Sequence, residues 1–363
     1  MKLAKNLALD WYLIAFAGLL IIIGLVTIYS LTLGSVDISL LYGQIRVAIF
    51  GLLLGLIMAF IGHRHYRSAS PVLFMIGLLL LAAVLLVGTK TFGAQRWISL
   101  GTFQLQPSEP MKLFLILALA RFLQSRQSKF RPTDFVLSLF IIGLPVILTL
   151  LEPDLGTALV LVAISFFMLL AAKISNRYWL AIAILSLFTL PIAYLNLEPY
   201  QLDRIKTFLS PASDPFGAGY NVLQSLIAVG NGGIFGQGFG QGTQSQLNFL
   251  PVAHTDFIFA GAAEAVGLVG AVIVLLIFTG LISRALVVGR RSTDDFGFFV
   301  SVGIAAMWFI QLTVNVGMNL GMAPVTGITL PFVSHGGSSL LVNLASVGIL
   351  LSISRQSEFS ARS

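Results

Sequence analysis

Apolar runs of roughly 20 residues, the length that crosses the hydrocarbon core as a helix, alternate along this chain with short polar connections. The pattern predicts ten spans: Trp11–Leu33, Arg46–Gly62, Pro71–Gly88, Pro107–Leu123, Phe135–Leu151, Leu155–Ala172, Tyr178–Leu195, Phe257–Leu286, Phe298–Leu320 and Ser338–Ser354. Only Glu152-Pro153-Asp154 separates the fifth from the sixth, so those two form a tight helical hairpin. One connection breaks the rhythm. Residues 196–255 form a long loop between spans seven and eight, rich in glycine and glutamine. Loops beyond about 12–15 residues are usually functional or disordered. Short apolar patterns such as Tyr220–Val229 point here to re-entrant or interfacial helices. The loop glycines either permit tight turns, the preferred reading, or let backbone amides approach a phosphate.

Composition agrees with the periodicity. The chain is 57% hydrophobic and 10% charged, where a soluble domain carries about 25% charged residues. The expectation is an all-α polytopic membrane protein, residues 1–363 forming one integral membrane domain. Alternating barrel strands are absent from the pattern. With no cysteine there is neither a disulfide framework nor a thiolate metal site. The net charge of +7 does not point to nucleic acid, because the basic residues lie in short loops. Arg64, Arg67, Arg126, Arg131, Lys173, Arg177, Arg290, Arg291 and Arg355 fall on one side with the basic termini. The other side has only Lys90, Arg96, Arg204 and Lys206, with Arg46 and Lys112 at span edges. By the positive-inside rule both termini are cytoplasmic, and Thr89–Gln106, Glu152–Asp154, Asn196–Thr255 and Gly321–Gly337 face outward. No cleavable signal is expected, since no small-residue cleavage site follows the first long run.

The outward segments hold the candidate chemistry. Asp256 stands where the polar stretch beginning at Gly242 turns apolar at Phe257. A carboxylate carried to the bilayer centre costs about 2.5–3.5 kcal/mol and less near the interface. Two readings stay open from position alone, an N-cap for the next helix and a functional carboxylate. Glu109 and Lys112, at i,i+3 spacing, share a helical face and are expected to pair. Glu264 lies about 12 Å deeper than Asp256 at 1.5 Å per residue, and a structural ion pair is its preferred reading. Arg96, beside Trp97, suits either a phosphate clamp or a snorkelling anchor. His254 and His335 are read as scattered, and a metal site built on them is disfavoured. No P-loop is present, so the residues alone reach a lipid-phosphate enzyme or transporter powered by its own substrate.

Longer motifs add a resemblance. GAQRWISLG at Gly93–Gly101, FQLQPSEPMKLFLILALARFL at Phe103–Leu123, EPDLGTAL at Glu152–Leu159, DPFGAGYNVLQSLIAVGNGGIFGQG at Asp214–Gly238, GTQSQLNFLPVAHTDFIFAGAAEAVG at Gly242–Gly267 and PFVSHGGSS at Pro331–Ser339 resemble the SEDS family (shape, elongation, division and sporulation), nearly end to end. GTQSQLNFLP is more similar to the RodA elongation branch than to the FtsW division branch. The chain departs from the family pattern at Glu152, where Gln is expected, and at His335, where Tyr is commoner.

The resemblance implies an inverting peptidoglycan glycosyltransferase polymerising lipid II on the outer face of the cytoplasmic membrane, with release of undecaprenyl pyrophosphate. Asp256 matches the family's essential aspartate, as general base or cation-anchoring carboxylate. The substrate-binding set expected with it is Arg96, Glu109, Lys112, Gln244, His254, Thr255 and Ser338. A divalent cation, Mg²⁺ or Mn²⁺, is the implied cofactor, with Asp256 as its ligand. The implied partner is a class B penicillin-binding protein, a transpeptidase with one membrane helix. A lipid II flippase is the rival reading and a structural scaffold the third. The inverted repeats that would favour transport are not evident.

Overall fold

The computed structural model describes residues 9–33, 38–91, 94–101, 103–126, 130–195, 199–211, 217, 219–247, 249–250 and 252–360. The basic residues of the two termini, Lys2, Lys5 and Arg362, lie outside the described residues. A helix occupies each of the ten expected spans: α1 (Trp11–Thr32), α2 (Ser39–Phe60), α3 (His63–Val87), α4 (Ser108–Gln124), α5 (Pro132–Leu151), α6 (Leu155–Ala171), α7 (Asn176–Leu195), α11 (Ile258–Arg291), α12 (Asp295–Asn319) and α13 (Gly337–Ser360). The long loop contributes α8 (Pro199–Leu209), α9 (Tyr220–Asn231) and α10 (Thr243–Gln246). Among the described residues, seven helices are long and apolar enough to cross a membrane by themselves, and Leu155–Ala171 is a shorter apolar helix.

Two boundaries differ from the apolar pattern for a physical reason. α3 starts at His63, so Pro71 lies inside it. Proline cannot donate to the carbonyl four residues back. That carbonyl, on Arg67, accepts instead from Ser70 Oγ (3.0 Å) and Arg121 Nη1 (2.9 Å), which keeps the backbone satisfied. The apolar pattern marks Thr89–Gln106 only as an outward connection. It folds as a three-stranded antiparallel sheet, β1 (Thr89–Thr91), β2 (Ala94–Leu100) and β3 (Phe103–Leu105).

Among the seven helices long and apolar enough to span, α12 and α13 are the most enclosed and α5 the least. Apolar burial drives little helix association in lipid, so small residues at contacts decide the packing. α2 and α13 meet where a Cβ on Gly348 would fall 2.3 Å from the Gly55 carbonyl oxygen. α11 breaks at Gly267 (φ 68°, ψ −169°). The loop after α9 enters that break: Gln237 N donates to Glu264 O (2.9 Å) and Gly238 N to Ala265 O (3.0 Å). In return Leu268 N donates to Gly233 O (2.9 Å) and Val269 N to Ile234 O (3.1 Å). The loop glycines permit tight turns as expected, with positive φ at Gly233, Gly236, Gly238 and Gly240. A Cβ at Gly236 would lie 2.2 Å from Ala265 O, so this glycine admits a backbone-to-backbone approach within the protein.

Candidate active site

The segment 254–256 is lashed down from two sides. On one side Ser334 Oγ donates to Thr255 O (2.6 Å), and His335 N donates to His254 O (2.8 Å). Gln44 of α2 fixes that loop in turn, donating to Ser334 O (3.1 Å) and accepting from Gly336 N (3.3 Å). On the other side the buried amides of Asn315 and Asn319 each donate from Nδ2 to the Asp256 carbonyl at 3.0 Å. The helix that follows takes Phe257 as its N-cap without any side-chain cap bond. Asp256 therefore does not cap α11, and the capping reading fails. Ala260 N, in the first turn, is served by Asn319 Oδ1 at 3.0 Å.

The Asp256 carboxyl is partly buried, and Gly327 passes close to it, a Cβ there falling 3.6 Å from Oδ2. Desolvation pushes its pKa above the ordinary value. A hydrogen bond from Thr255 and the positive charges of Arg204 and Arg96 oppose that rise, while Asp154 adds to it. His254 and His335 are not scattered: their rings meet edge to face with centroids 5.6 Å apart. Burial lowers the pKa of both, and His254 lowers that of His335 further. The pair is thus a neutral wall beside Asp256 rather than a second positive charge.

Arg96 is anchored within the protein through part of its guanidinium. Its Nε donates to Glu152 O (3.2 Å), another guanidinium nitrogen donates to Pro153 O, and Nη1 lies 3.9 Å from Asp154 Oδ1. Strand β2 is thereby tied to the α5–α6 turn. Asp154 caps α6 by accepting from Thr157 N (3.1 Å) and Thr157 Oγ1 (2.8 Å), and it also accepts from Gln106 Nε2 (3.3 Å). Ser338 accepts from Gln106 N (3.0 Å) and donates to Gln104 O (3.2 Å), so its hydroxyl is spent on joining β3 to α13. In the turn itself Glu152 is fully buried with both carboxyl oxygens unpartnered. Burial first, then Asp154, raises its pKa to about 9 against the pull of Arg96.

Glu109 and Lys112 pair as expected, Nζ donating to Oε1 at 2.8 Å, both buried in the first turns of α4. Glu109 Oε2 has no hydrogen-bond partner. The ion pair expected for Glu264 is not what holds it. Among the described residues Glu264 has no cation; instead it accepts from Gln244 N (2.8 Å), Ser245 N (3.0 Å) and Ser245 Oγ (2.5 Å) at the start of α10. Three donors replace a counter-ion. Gln244 is held by its backbone, and its side-chain Oε1 is buried and unpartnered. The structure thus gathers Asp256, Thr255 and His254 with His335 and the fields of Arg96 and Arg204. Glu109, Lys112 and Ser338 belong to the neighbouring α4–β3–α13 corner. Asn315 and Asn319 were missed, although two amides at i,i+4 inside an apolar span are a legible signal of a buried polar contact.

The sequence profile of the FtsW, RodA and SpoVE group, described as cell cycle protein, matches residues 4–359. The chain is 39% identical over 339 residues to peptidoglycan glycosyltransferase MrdB of Escherichia coli K12, covering 92% of each chain. It is 38% identical over 370 residues to stage V sporulation protein E of Bacillus subtilis 168, covering 98% of this chain and 99% of that one. Among solved structures it resembles the rod shape determining protein RodA of Thermus thermophilus (TM-score 0.73, 31% identity, 96% and 98% coverage). It also resembles a chain from a peptidoglycan synthase complex described as coordinating polymerization and crosslinking (TM-score 0.83, 34% identity, 97% and 99% coverage). With a family profile spanning nearly every residue, and relatives matched over nearly their whole length, this chain belongs to the FtsW, RodA and SpoVE family of cell cycle proteins.

Proposed function

We propose that this protein is a peptidoglycan glycosyltransferase that polymerises lipid II on the outer face of the cytoplasmic membrane during cell elongation. The observation that carries the reading is the Asp256 carboxyl, released from capping and set beside positive charge at the mouth of α11. Asp256 accepts the proton of the acceptor sugar's 4-hydroxyl. The oxygen attacks the donor's anomeric carbon as the bond to undecaprenyl pyrophosphate breaks, the electron pair leaving with the pyrophosphate. Attack from the face opposite the leaving group inverts the anomeric centre. Desolvation that raises the pKa of Asp256 strengthens it as a base, provided it remains ionised at working pH. Arg96 and Arg204 contribute positive field toward the departing pyrophosphate, with two of the Arg96 N–H donors anchored within the protein.

A divalent cation would be held here by Asp256 together with substrate phosphates. Among the described residues no group of three or more His, Cys, Asp or Glu converges into a ready-made cage. Mg²⁺ commonly binds through one or two carboxylates plus substrate phosphates, and the Asp256 carboxyl suits the single-carboxylate case. The ion would supply neutralisation of phosphate charge. Resemblance to a chain of a complex that joins polymerization to crosslinking supports a class B penicillin-binding protein as partner.

The test is purified protein with its transpeptidase partner, in detergent with labelled lipid II. Detergent leaves no second leaflet, so glycan polymer cannot arise from flipping. Asp256→Asn is expected to be folded and partner-bound yet inactive, by roughly 10²–10⁴-fold if base catalysis alone is lost. Polymerisation by this variant near the wild-type rate would remove Asp256 from the mechanism. Wild-type protein that moves lipid II across vesicles and makes no polymer would be a flippase.

A further inference from the structure

The first turn of a helix leaves N–H groups without intrahelical partners. An Asp just ahead of it is among the best local acceptors. Asp256 is in that position and is not so used. In a regular continuation its carbonyl would accept from Ala260 N. Instead the Asn319 amide is inserted between the two: Oδ1 accepts from Ala260 N (3.0 Å), and Nδ2 donates to Asp256 O (3.0 Å). Helical pairing then begins one residue later, with Gly261 N donating to Phe257 O (3.2 Å).

Asn315, one turn earlier on α12, grips the same carbonyl (3.0 Å) and also donates to Ile328 O (2.8 Å), binding the Asp256 turn to the loop that carries Gly327. Asn319 Nδ2 additionally donates to Asn315 O (2.8 Å), and Ser225 of α9 donates to Asn319 O (2.8 Å). Both asparagines are 0% exposed, so their amides have no water to fall back on.

We propose that Asn319, seconded by Asn315, is a positioning residue for glycosyl transfer. It caps α11 in place of Asp256 and fixes the Asp256 main chain, so the carboxylate stays turned to the substrate instead of folding onto the helix end. The inference rests on Asp256 being the catalytic carboxylate. Its alternative is that the two amides only satisfy buried backbone.

Asn319→Leu keeps similar bulk and removes both halves of the bridge, letting Ala260 N pair with the Asp256 carbonyl or carboxylate. Asn319→Asp retains the acceptor for Ala260 N and removes the donations to the Asp256 and Asn315 carbonyls. Misplacement of a reacting group by about 1 Å costs on the order of 10²-fold, so kcat is expected to fall about 10–100-fold in the Leu variant and measurably in the Asp variant. KM for lipid II should stay within about threefold, because the sugar and phosphate contacts are untouched. If the Leu variant does not give a monodisperse folded protein, the Asp variant decides. Wild-type kcat in a folded variant, or a loss carried by KM alone, overturns the proposal. Asp256→Asn run alongside separates the two failures. Activity in that variant removes the catalytic assignment itself and the positioning role with it. Inactivity there, beside unaffected Asn319 variants, removes only the positioning role.

Discussion

Replacing Glu152 by Gln isolates the electrostatics of the α5–α6 turn. The native carboxyl is 0% exposed, neither oxygen has a hydrogen-bond partner, and Asp154 stands two residues on. Burial and that neighbour raise its pKa from 4.5 to about 9. In the folded protein at pH 7.5 the group is protonated; in the unfolded chain it is ionised. Folding must then take up a proton, and the penalty grows by about 1.4 kcal/mol per pH unit above the unfolded value, reaching about 4 kcal/mol at pH 7.5 as an upper bound. The stability associated with a raised carboxyl is complete below pH 4.5, declines as pH rises, and stops declining above about 9. Glu152→Gln puts a neutral amide of the same shape in place of a neutral acid and removes the titration. Thermal unfolding of the detergent-solubilised protein, followed by tryptophan fluorescence from about pH 5 to 8.5, should give nearly equal midpoints at the acid end. Near pH 8 the Gln variant should be ahead by on the order of 5 °C, with polymerisation retained. Parallel curves for the two proteins across that range would mean that Glu152 does not titrate between folded and unfolded states, and the reasoning would fail.

Three further outcomes follow from the same geometry. Glu109→Gln or Lys112→Met alone leaves a buried charge without its 2.8 Å partner and should destabilise by about 3–5 kcal/mol. The charge swap Glu109→Lys with Lys112→Glu should recover part of that in melting experiments, and a swap no better than either single change refutes the pairing. For orientation, Gln241 and Arg290 are both exposed, near opposite ends of the membrane domain. Cysteines placed there in a chain with no native cysteine should react with an impermeant maleimide from opposite sides, and same-side labelling overturns the topology. Asp256→Glu should fail to polymerise along with Asp256→Asn, because one methylene shifts the carboxylate by about an ångström; full activity in the Glu variant would argue for a loosely placed cation ligand.

What the sequence determined by itself was set by local and one-dimensional physics. Apolar runs of membrane length place all ten helices, since a lipid-facing backbone has no other way to satisfy its hydrogen bonds. The i,i+3 spacing of Glu109 and Lys112 foretells their pair because the helix itself makes them neighbours. Where a side chain's partner comes from far along the chain, spacing is silent. Arg96 looks available for phosphate in the sequence, yet two carbonyls at residues 152 and 153 claim it. Glu264 looks in need of a cation, yet the backbone of residues 244 and 245 supplies its donors. His254 and His335 are 81 positions apart in sequence and in ring contact in space. The sharpest case is Asp256, for which a cap and a functional carboxylate are equally consistent with the residues around it. Only the fold could remove the cap reading, by bringing Asn319, 63 residues downstream, to cap the helix in its stead; a local sequence pattern holds no information about a hydrogen-bonding group that another helix delivers.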